Sequence, residues 1–249
     1  MNTESIDGEG KSTPYPQRLT GACLHCSLRA LCIPDHLPID LIEQLAAFVH
    51  NIGPLHKGET LIRAGEPFRA VYAIRSGLLK SSVFGESNAE HVAEFLLPGE
   101  LIGLDAIAAA RHITQVTVLD TAVVCRVPYE QLLTLSRRVP GLERRLLRIL
   151  SAEISHEEWF MALEGAENRV ASFLIGFGAK MEVRGYSAVE FTLKMTRRDI
   201  ASHLRIAPET LSRVLKVFQE RGLISIKGKK IHLLDRFELE TRCSHPAGG

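Results

Sequence analysis

Long apolar runs are absent from this 249-residue chain, and aromatic residues are few, at 6% with one tryptophan. Nothing approaches the ~18 consecutive apolar residues of a membrane-spanning helix. Residues 1–20 are polar, carry Pro14 and Pro16, and lack the apolar centre of a secretory signal. The expectation is a cytoplasmic protein with no membrane partner. Net charge is nearly absent too, at +1, so bulk charge singles out no class of partner. There is no glycine-rich nucleotide loop, flavin signature or nucleophile–base pairing, which argues against an enzyme. Five cysteines are few for a disulfide scaffold. In a reducing compartment, clustered thiols more often bind metal or do redox chemistry.

What is present begins with those cysteines. Cys23, Cys26 and Cys32 fall within ten residues, Cys125 lies far downstream in the strand-like run 121–127, and Cys243 sits in a polar C-terminal stretch with no assigned role. Four thiolates suit either zinc or an iron–sulfur cluster. Structural zinc usually takes two close cysteine pairs. One compact trio and a distant fourth instead favour a cluster, with Cys23, Cys26, Cys32 and Cys125 as ligands. By position alone, Cys125 between Val123 and Val127 reads equally well as a small buried apolar residue. Leu28 and Leu31, inside the ligand loop, are candidates for shielding the site from water and oxidants. The plainer reading is that they anchor the loop.

The organisation is α+β. After a flexible tail at 1–20, residues 21–137 read as a sensor domain. It holds the cysteine loop, then an amphipathic helix through Leu41, Ile42, Leu45 and Phe48. From about residue 52 to 127 follow short β-prone runs punctuated by glycine, the texture of a β-roll or jelly roll. Pro140 opens a long helix within 138–164. Along it Glu143, Leu147, Leu150, Ile154, Glu157 and Met161 alternate steps of four and three, a coiled-coil seam. Leu142, Leu146, Ile149 and Phe160 form a second stripe suited to the barrel. Two apolar stripes point to a homodimer, against the alternative of one broad core face. Residues 165–236 read as helix, strand, helix, short turn, helix and hairpin, a winged helix-turn-helix. Residues 237–249 read as a second tail.

Glu209, Ser212 and Arg213 stand at i, i+3 and i+4 near the start of the second helix of that motif. This end enters the major groove in helix-turn-helix proteins. Arg can bond two acceptors on guanine, Glu accepts from the cytosine amine, and Ser serves either way. Arg197, Arg198, His203 and Lys216 flank this face and suit phosphates. Lys and Arg outnumber Asp and Glu from Lys194 to Lys230, so double-stranded DNA is the expected partner.

Taken together, these residues resemble the fumarate and nitrate reduction regulators (FNR), the oxygen-sensing branch of the CRP/FNR superfamily. The resemblance runs from about Cys23 to Asp235. It rests on C-x2-C-x5-C-I-P at 23–34, V-Y-A-I-R-S-G at 71–77, the lone Cys125 before Arg-Val-Pro, and E-T-L-S-R at 209–213. It implies a cyclic-nucleotide-binding-like β-roll, a dimerisation helix and a winged-helix DNA domain. It implies one [4Fe-4S] cluster per subunit on the four cysteines and a homodimer that binds TTGAT-like palindromes when oxygen is absent. Oxygen converts the cluster and loosens the dimer, nitric oxide also damages it, and the DNA-bound dimer touches RNA polymerase to activate or repress anaerobic genes. No cyclic nucleotide is expected. Gly99-Glu100-Leu101 reads as a turn that opens a strand. The run from Arg111 to Val116 lacks the adjacent Arg-Ser/Thr pair that grips phosphate in the cyclic-AMP receptor branch. Two positions depart from the best-known members: Pro208 replaces a small aliphatic residue before Glu209, and His25 lies between the first two cysteines.

On the long helix, Ile154 and Glu157 are expected to face their symmetry mates. Two Glu157 carboxylates ~8 Å apart would oppose pairing by roughly 2 kcal/mol at an effective dielectric near 20. That would poise the dimer for a small bias from the cysteine site. The rival readings are a zinc-stabilised or small-ligand-gated CRP-like regulator and an iron–sulfur electron-transfer protein. Colour and metal content separate the first. The second leaves the winged helix without a use.

Overall fold

The computed structural model describes residues 23, 26–32, 38–86 and 88–242, apart from the side chains at 30, 140, 156 and 157. The tail at 1–20, His25 and Cys243 lie outside the described residues. The chain opens with one helical turn, α1 (Arg29–Cys32), followed by the amphipathic α2 (Ile39–Phe48), which buries Ile42, Leu45 and Ala46. Six strands follow: β1 (His50–Leu55), β2 (Thr60–Ile62), β3 (Ala70–Phe84), β4 (Glu90–Leu96), β5 (Leu101–Ile102) and β6 (Gln115–Pro128). They form one antiparallel sheet ordered β1-β6-β3-β4, with β2 added on β6 and β5 on β3. This is the expected β-roll.

The long β3 and β6 are its spine. Alternate residues of β6, Val116, Val118, Ala122 and Val124, are fully buried, as the period-2 side-chain alternation of a strand requires. The β3–β6 register shifts three times between Ile74 and Leu79. Within those shifts Gly77 has φ +96°, and a Cβ there would lie 2.5 Å from the Thr121 carbonyl oxygen. Only glycine fits, because it accepts positive φ and has no Cβ to clash.

Next come α3 (Tyr129–Arg138) and the 23-residue α4 (Pro140–Ala162). The two stripes of α4 separate except at Leu150, expected on the open seam, which instead packs half-buried against the cluster around Leu132 and Leu142. Leu142 and Phe160 are buried, whereas Leu147, Ile154 and Met161 are 58%, 61% and 50% exposed. An apolar seam left that open in a single chain is a surface awaiting a partner.

The last unit contains α5 (Ala166–Glu182), β7 (Glu190–Thr192), α6 (Arg197–His203), α7 (Pro208–Glu220), β8 (Ile224–Lys227), β9 (Lys230–Leu233) and α8 (Arg236–Arg242). Thr196 and Asp199 cap α6 reciprocally, each side chain bonding the other's backbone N–H. Pro208 takes the first helical position of α7, where its missing N–H costs nothing. Gly228, at φ +62°, turns the β8–β9 hairpin. The winged helix-turn-helix is therefore as expected. The tail expected from residue 237 is a correction: α8 continues to Arg242, and Leu239 is fully buried beneath it. One leucine on a short polar helix is too weak a periodic signal to mark it.

The two halves share a core. Leu78, Val92, Phe95 and Leu97 of the roll pack with Phe173, Phe177 and Phe191 of the DNA unit. Charges cross the same interface. Lys80, 7% exposed, reaches Asp199 at 2.7 Å and Glu90 at 2.8 Å, and Glu100 pairs with Arg184 at 2.9 Å.

Candidate metal centre and nucleic-acid interface

Cys125 sits in β6 with neighbours on both sides: Asn51 of β1 and Ala73 of β3 are its register partners. Cys23, Cys26 and Cys32 come from the N-terminal loop, laid against this strand and the start of α4. All four cysteines line a single cavity of about 80 Å³, walled by Leu45, Val71, Leu101, Leu132, Leu142 and Leu146 among others. The structure brings the four sequence-predicted cysteines to one cavity. Cys125 is half-buried there, and its sulfur lies 3.3 Å from Asn51 Oδ1.

The thiols affect one another. Burial, reinforced by the neighbouring thiols, pushes Cys32 up to about 12 and Cys125 up to about 11, and raises Cys23. Arg145 opposes the rise at Cys32, and Arg75 opposes it at Cys23 and Cys125. Burial and crowding thus hold Cys23, Cys32 and Cys125 as neutral thiols, and binding a metal group there would have to displace their protons. Arg29, Arg75 and Arg145 also line the cavity, so a group bound with net negative charge would be offset. Among the described residues no three ligands converge on a single ion. Zinc with ~2.3 Å bonds would draw tetrahedral sulfurs to roughly 3.8 Å of one another. Four cysteine sulfurs and three arginines around one apolar-walled cavity form a set that would accommodate an iron–sulfur group.

The loop is seated by close packing. Gly99, at φ +92°, touches Leu31, whose Cβ would lie 2.7 Å from an added Cβ. Cys32 Sγ lies 3.7 Å from the Gly99 carbonyl oxygen. Leu28 and Leu31 are half-buried, but neither lines the cavity. Leu31 anchors the loop, Leu28 borders an adjoining groove beside Cys26, and the shielding surface comes from the barrel and helices. Sequence reasoning missed Arg75 and Arg145. Arg75 shares the face of β3 that carries Ala73, but only the β3–β6 register sets that face against Cys125.

At the other end of the molecule, Glu209, Ser212 and Arg213 are exposed together on the first turns of α7. Ser212 Oγ donates to the Pro208 carbonyl at 3.0 Å, which leaves its lone pairs outward. Arg197, Arg198 and Lys216 are exposed around them. His203 is a correction. It was expected at phosphates, yet its ring turns inward between Phe95, Phe160 and Phe173, with centroids 5.3–5.8 Å away, and bonds the Ala93 carbonyl through Nδ1 at 2.9 Å. Burial lowers its pKa below the usual histidine range. Helical spacing alone cannot tell which neighbour a residue on the rim of a face will meet. Ile154 stands on the exposed seam of α4, while the Glu157 side chain lies outside the described residues.

A barrel joined by a long helix to a winged helix-turn-helix defines a DNA-binding transcription regulator rather than an enzyme. A family model described as a cyclic nucleotide-binding domain matches residues 53–138, and one described as a Crp-like helix-turn-helix domain matches residues 168–242. The transcriptional activator protein Anr of Pseudomonas aeruginosa is 40% identical over 220 residues, 87% of this chain and 90% of Anr. The fumarate and nitrate reduction regulatory protein of Vibrio cholerae is 39% identical over 220 residues, 87% of this chain and 88% of that protein. Among solved structures, FixK2 from Bradyrhizobium japonicum matches with a TM-score of 0.69 at 26% identity, covering 80% of this chain and 98% of that one. The chain belongs to the CRP/FNR family of transcription regulators, among the relatives named Anr and FNR. No helix among the described residues is long and apolar enough to cross a membrane.

Proposed function

We propose that this chain is an oxygen-responsive regulator of anaerobic transcription. Cys23, Cys26, Cys32 and Cys125 hold one [4Fe-4S] cluster per subunit, and the loaded protein binds TTGAT-like palindromes as a homodimer. The observation that carries this reading is the meeting of four sulfurs in one cavity at the foot of the helix that bears the exposed seam. Bound there, the cluster supplies iron and sulfide that oxygen, and also nitric oxide, can attack. The arginines offset its charge, the leucine and valine walls restrict water, and Leu142 and Leu146 present α4 to the site.

The output follows from geometry. Two recognition helices use both half-sites only when held about one duplex turn, ~34 Å, apart. Pairing through Leu147, Ile154 and Met161 sets that spacing, and Glu157 opposes the pairing. Glu209, Ser212 and Arg213 then read bases, with Arg197, Arg198 and Lys216 on phosphates, and the bound dimer recruits RNA polymerase. The barrel works without cyclic nucleotide, since Glu100 is engaged by Arg184.

Anaerobic purification tests the reading, with iron and sulfide analysis, an absorption spectrum, and DNA binding before and after air. The expected result is a brown protein with about four irons per chain that bleaches in air as DNA is released. A colourless protein holding stoichiometric zinc, with DNA binding indifferent to air, would leave the regulator and remove the oxygen sensor.

A further inference from the structure

Arg145 lies on α4, one helical turn from Leu142 and next to Leu146, all three on the cysteine cavity. Its Nη2 donates to the carbonyl of Leu31 at 2.7 Å, across 114 residues of sequence. Its Nε–H is buried and has no hydrogen-bond partner among the described residues. A buried guanidinium N–H left unpaired is costly and marks a place where an acceptor belongs. Two residues along the helix, Leu147 faces the opposite way and is 58% exposed. One side chain therefore touches the ligand loop and the cavity, from a helix whose other face is the dimer seam.

We propose that Arg145 is the positioning residue that couples the four-cysteine site to dimerisation. Its Nη2 ties the segment just before Cys32 to α4, and its Nε–H and charge face the anionic group bound by the sulfurs. With that group in place, the guanidinium is satisfied on both sides and α4 is held at the rotation that presents Leu147 and Ile154. Without it, a buried cation loses its counter-charge and the helix start loses one of its ties. Arg29 and Arg75 share the cavity but lie on the loop and on β3, so neither can act on α4 directly. Arg145 is distinct from Ile154 and Glu157, which set the pairing itself.

The inference rests on the iron–sulfur reading, and its test separates the two. Arg145→Met keeps the length and apolar stem and removes both N–H bonds and the charge. Arg145→Lys restores the charge and one donor. Iron and sulfide content, the visible and Mössbauer spectra, and the dimer dissociation constant by anaerobic sedimentation are measured for both and for the unmodified protein. The expected result is about four irons in Arg145→Met, with a cluster spectrum shifted by loss of the N–H and charge beside it, and a dimer constant weakened about tenfold or more, the loss of a charge-assisted hydrogen bond. Arg145→Lys should recover most of it. Pairing as tight as in the unmodified protein, or failure of Arg145→Met to hold iron at all, would overturn the coupling role. A wild-type protein without iron would instead sink the proposed function.

Discussion

In the winged-helix domain the contacts that matter join residues a turn or a hairpin apart, as in the Thr196–Asp199 cap and the β8–β9 ladder. In the cysteine region they join Leu31 to Arg145 across 114 residues and Cys125 to Asn51 across 74. The first region is densely packed, with Leu211, Phe218, Ile231 and Leu239 essentially inaccessible in a core whose margin it shares with Leu78, Val92, Phe95 and Leu97 of the roll. The second, among the described residues, is a four-residue helix and a few loop residues laid on the cluster around Leu45, Val71, Leu132 and Leu142, with a cavity left at the cysteines. A region built on local contacts folds whether or not anything is bound. A region closed by distant, sparse contacts gains order from what it binds, so its order can report on that ligand.

The comparison breaks first, and hardest, at Phe218. Phe218→Ala should cost about 3–5 kcal/mol of DNA-domain stability, read by urea unfolding, while iron content stays at the wild-type level. If iron is lost in proportion to stability, the two regions do not order independently. The converse change is Cys125→Ser. Anaerobic iron and sulfide should vanish, and affinity for a palindromic site should fall by about a hundredfold or more as bivalent engagement is lost, with the unfolding of the DNA domain unmoved. Retention of iron by this variant would remove Cys125 from the ligand set.

The same contrast explains what could be seen in the sequence. The helix-turn-helix was legible because capping residues, a proline at a first helical position and a glycine in a hairpin turn are local signals with local causes. The β-roll was legible from its glycines and its alternation. The shared cysteine site was legible only in part, since nothing in the spacing of Cys125 distinguished a ligand from a packed thiol. Arg75 and Arg145 were not legible, because their partners are chosen by strand register and by how α4 lies on the roll. Interface residues failed for the same reason. His203 has the sequence context of a phosphate contact, and α8 has that of a tail, until tertiary packing decides.

A smaller effect sharpens the division at the recognition helix. Arg213→Ala should weaken binding to the preferred site by about 1–3 kcal/mol and relax preference at one base pair, leaving iron content and dimer affinity at wild-type values. A uniform loss over all sequences, with the salt slope reduced by about one, would reassign Arg213 from base to phosphate.

The smallest effect concerns the seam between the two regions and follows from its titrating groups. Burial lowers His203, against the pull of its bond to Ala93, with Glu94 and Lys180 nearby. The docked interface thus prefers the neutral ring, while an undocked His203 would take up a proton near its ordinary value of about 6.5. Docking should weaken as pH falls through that range. Asp199 and Glu90, both lowered by their bonds to Lys80, add stability above the ordinary carboxylate range and lose it as pH falls through their depressed values. Lys80 is raised by the same pair, so its share persists until pH exceeds its elevated value. Docking should therefore be firmest between roughly pH 7 and 10. Between pH 7.5 and 5.5 Asp199, Glu90 and Lys80 keep their charge, and Glu153, which burial and then Glu94 push up to about 7, takes up a proton in the direction that favours the packed state, so any loosening in that interval belongs to histidine. Hydrogen exchange along residues 90–96 should accelerate a few-fold over it, and His203→Phe, which keeps the stack with Phe95, Phe160 and Phe173 but cannot titrate, should abolish the change. The same acceleration in His203→Phe would show that the seam is held by its charges alone, and that the ring is only filler.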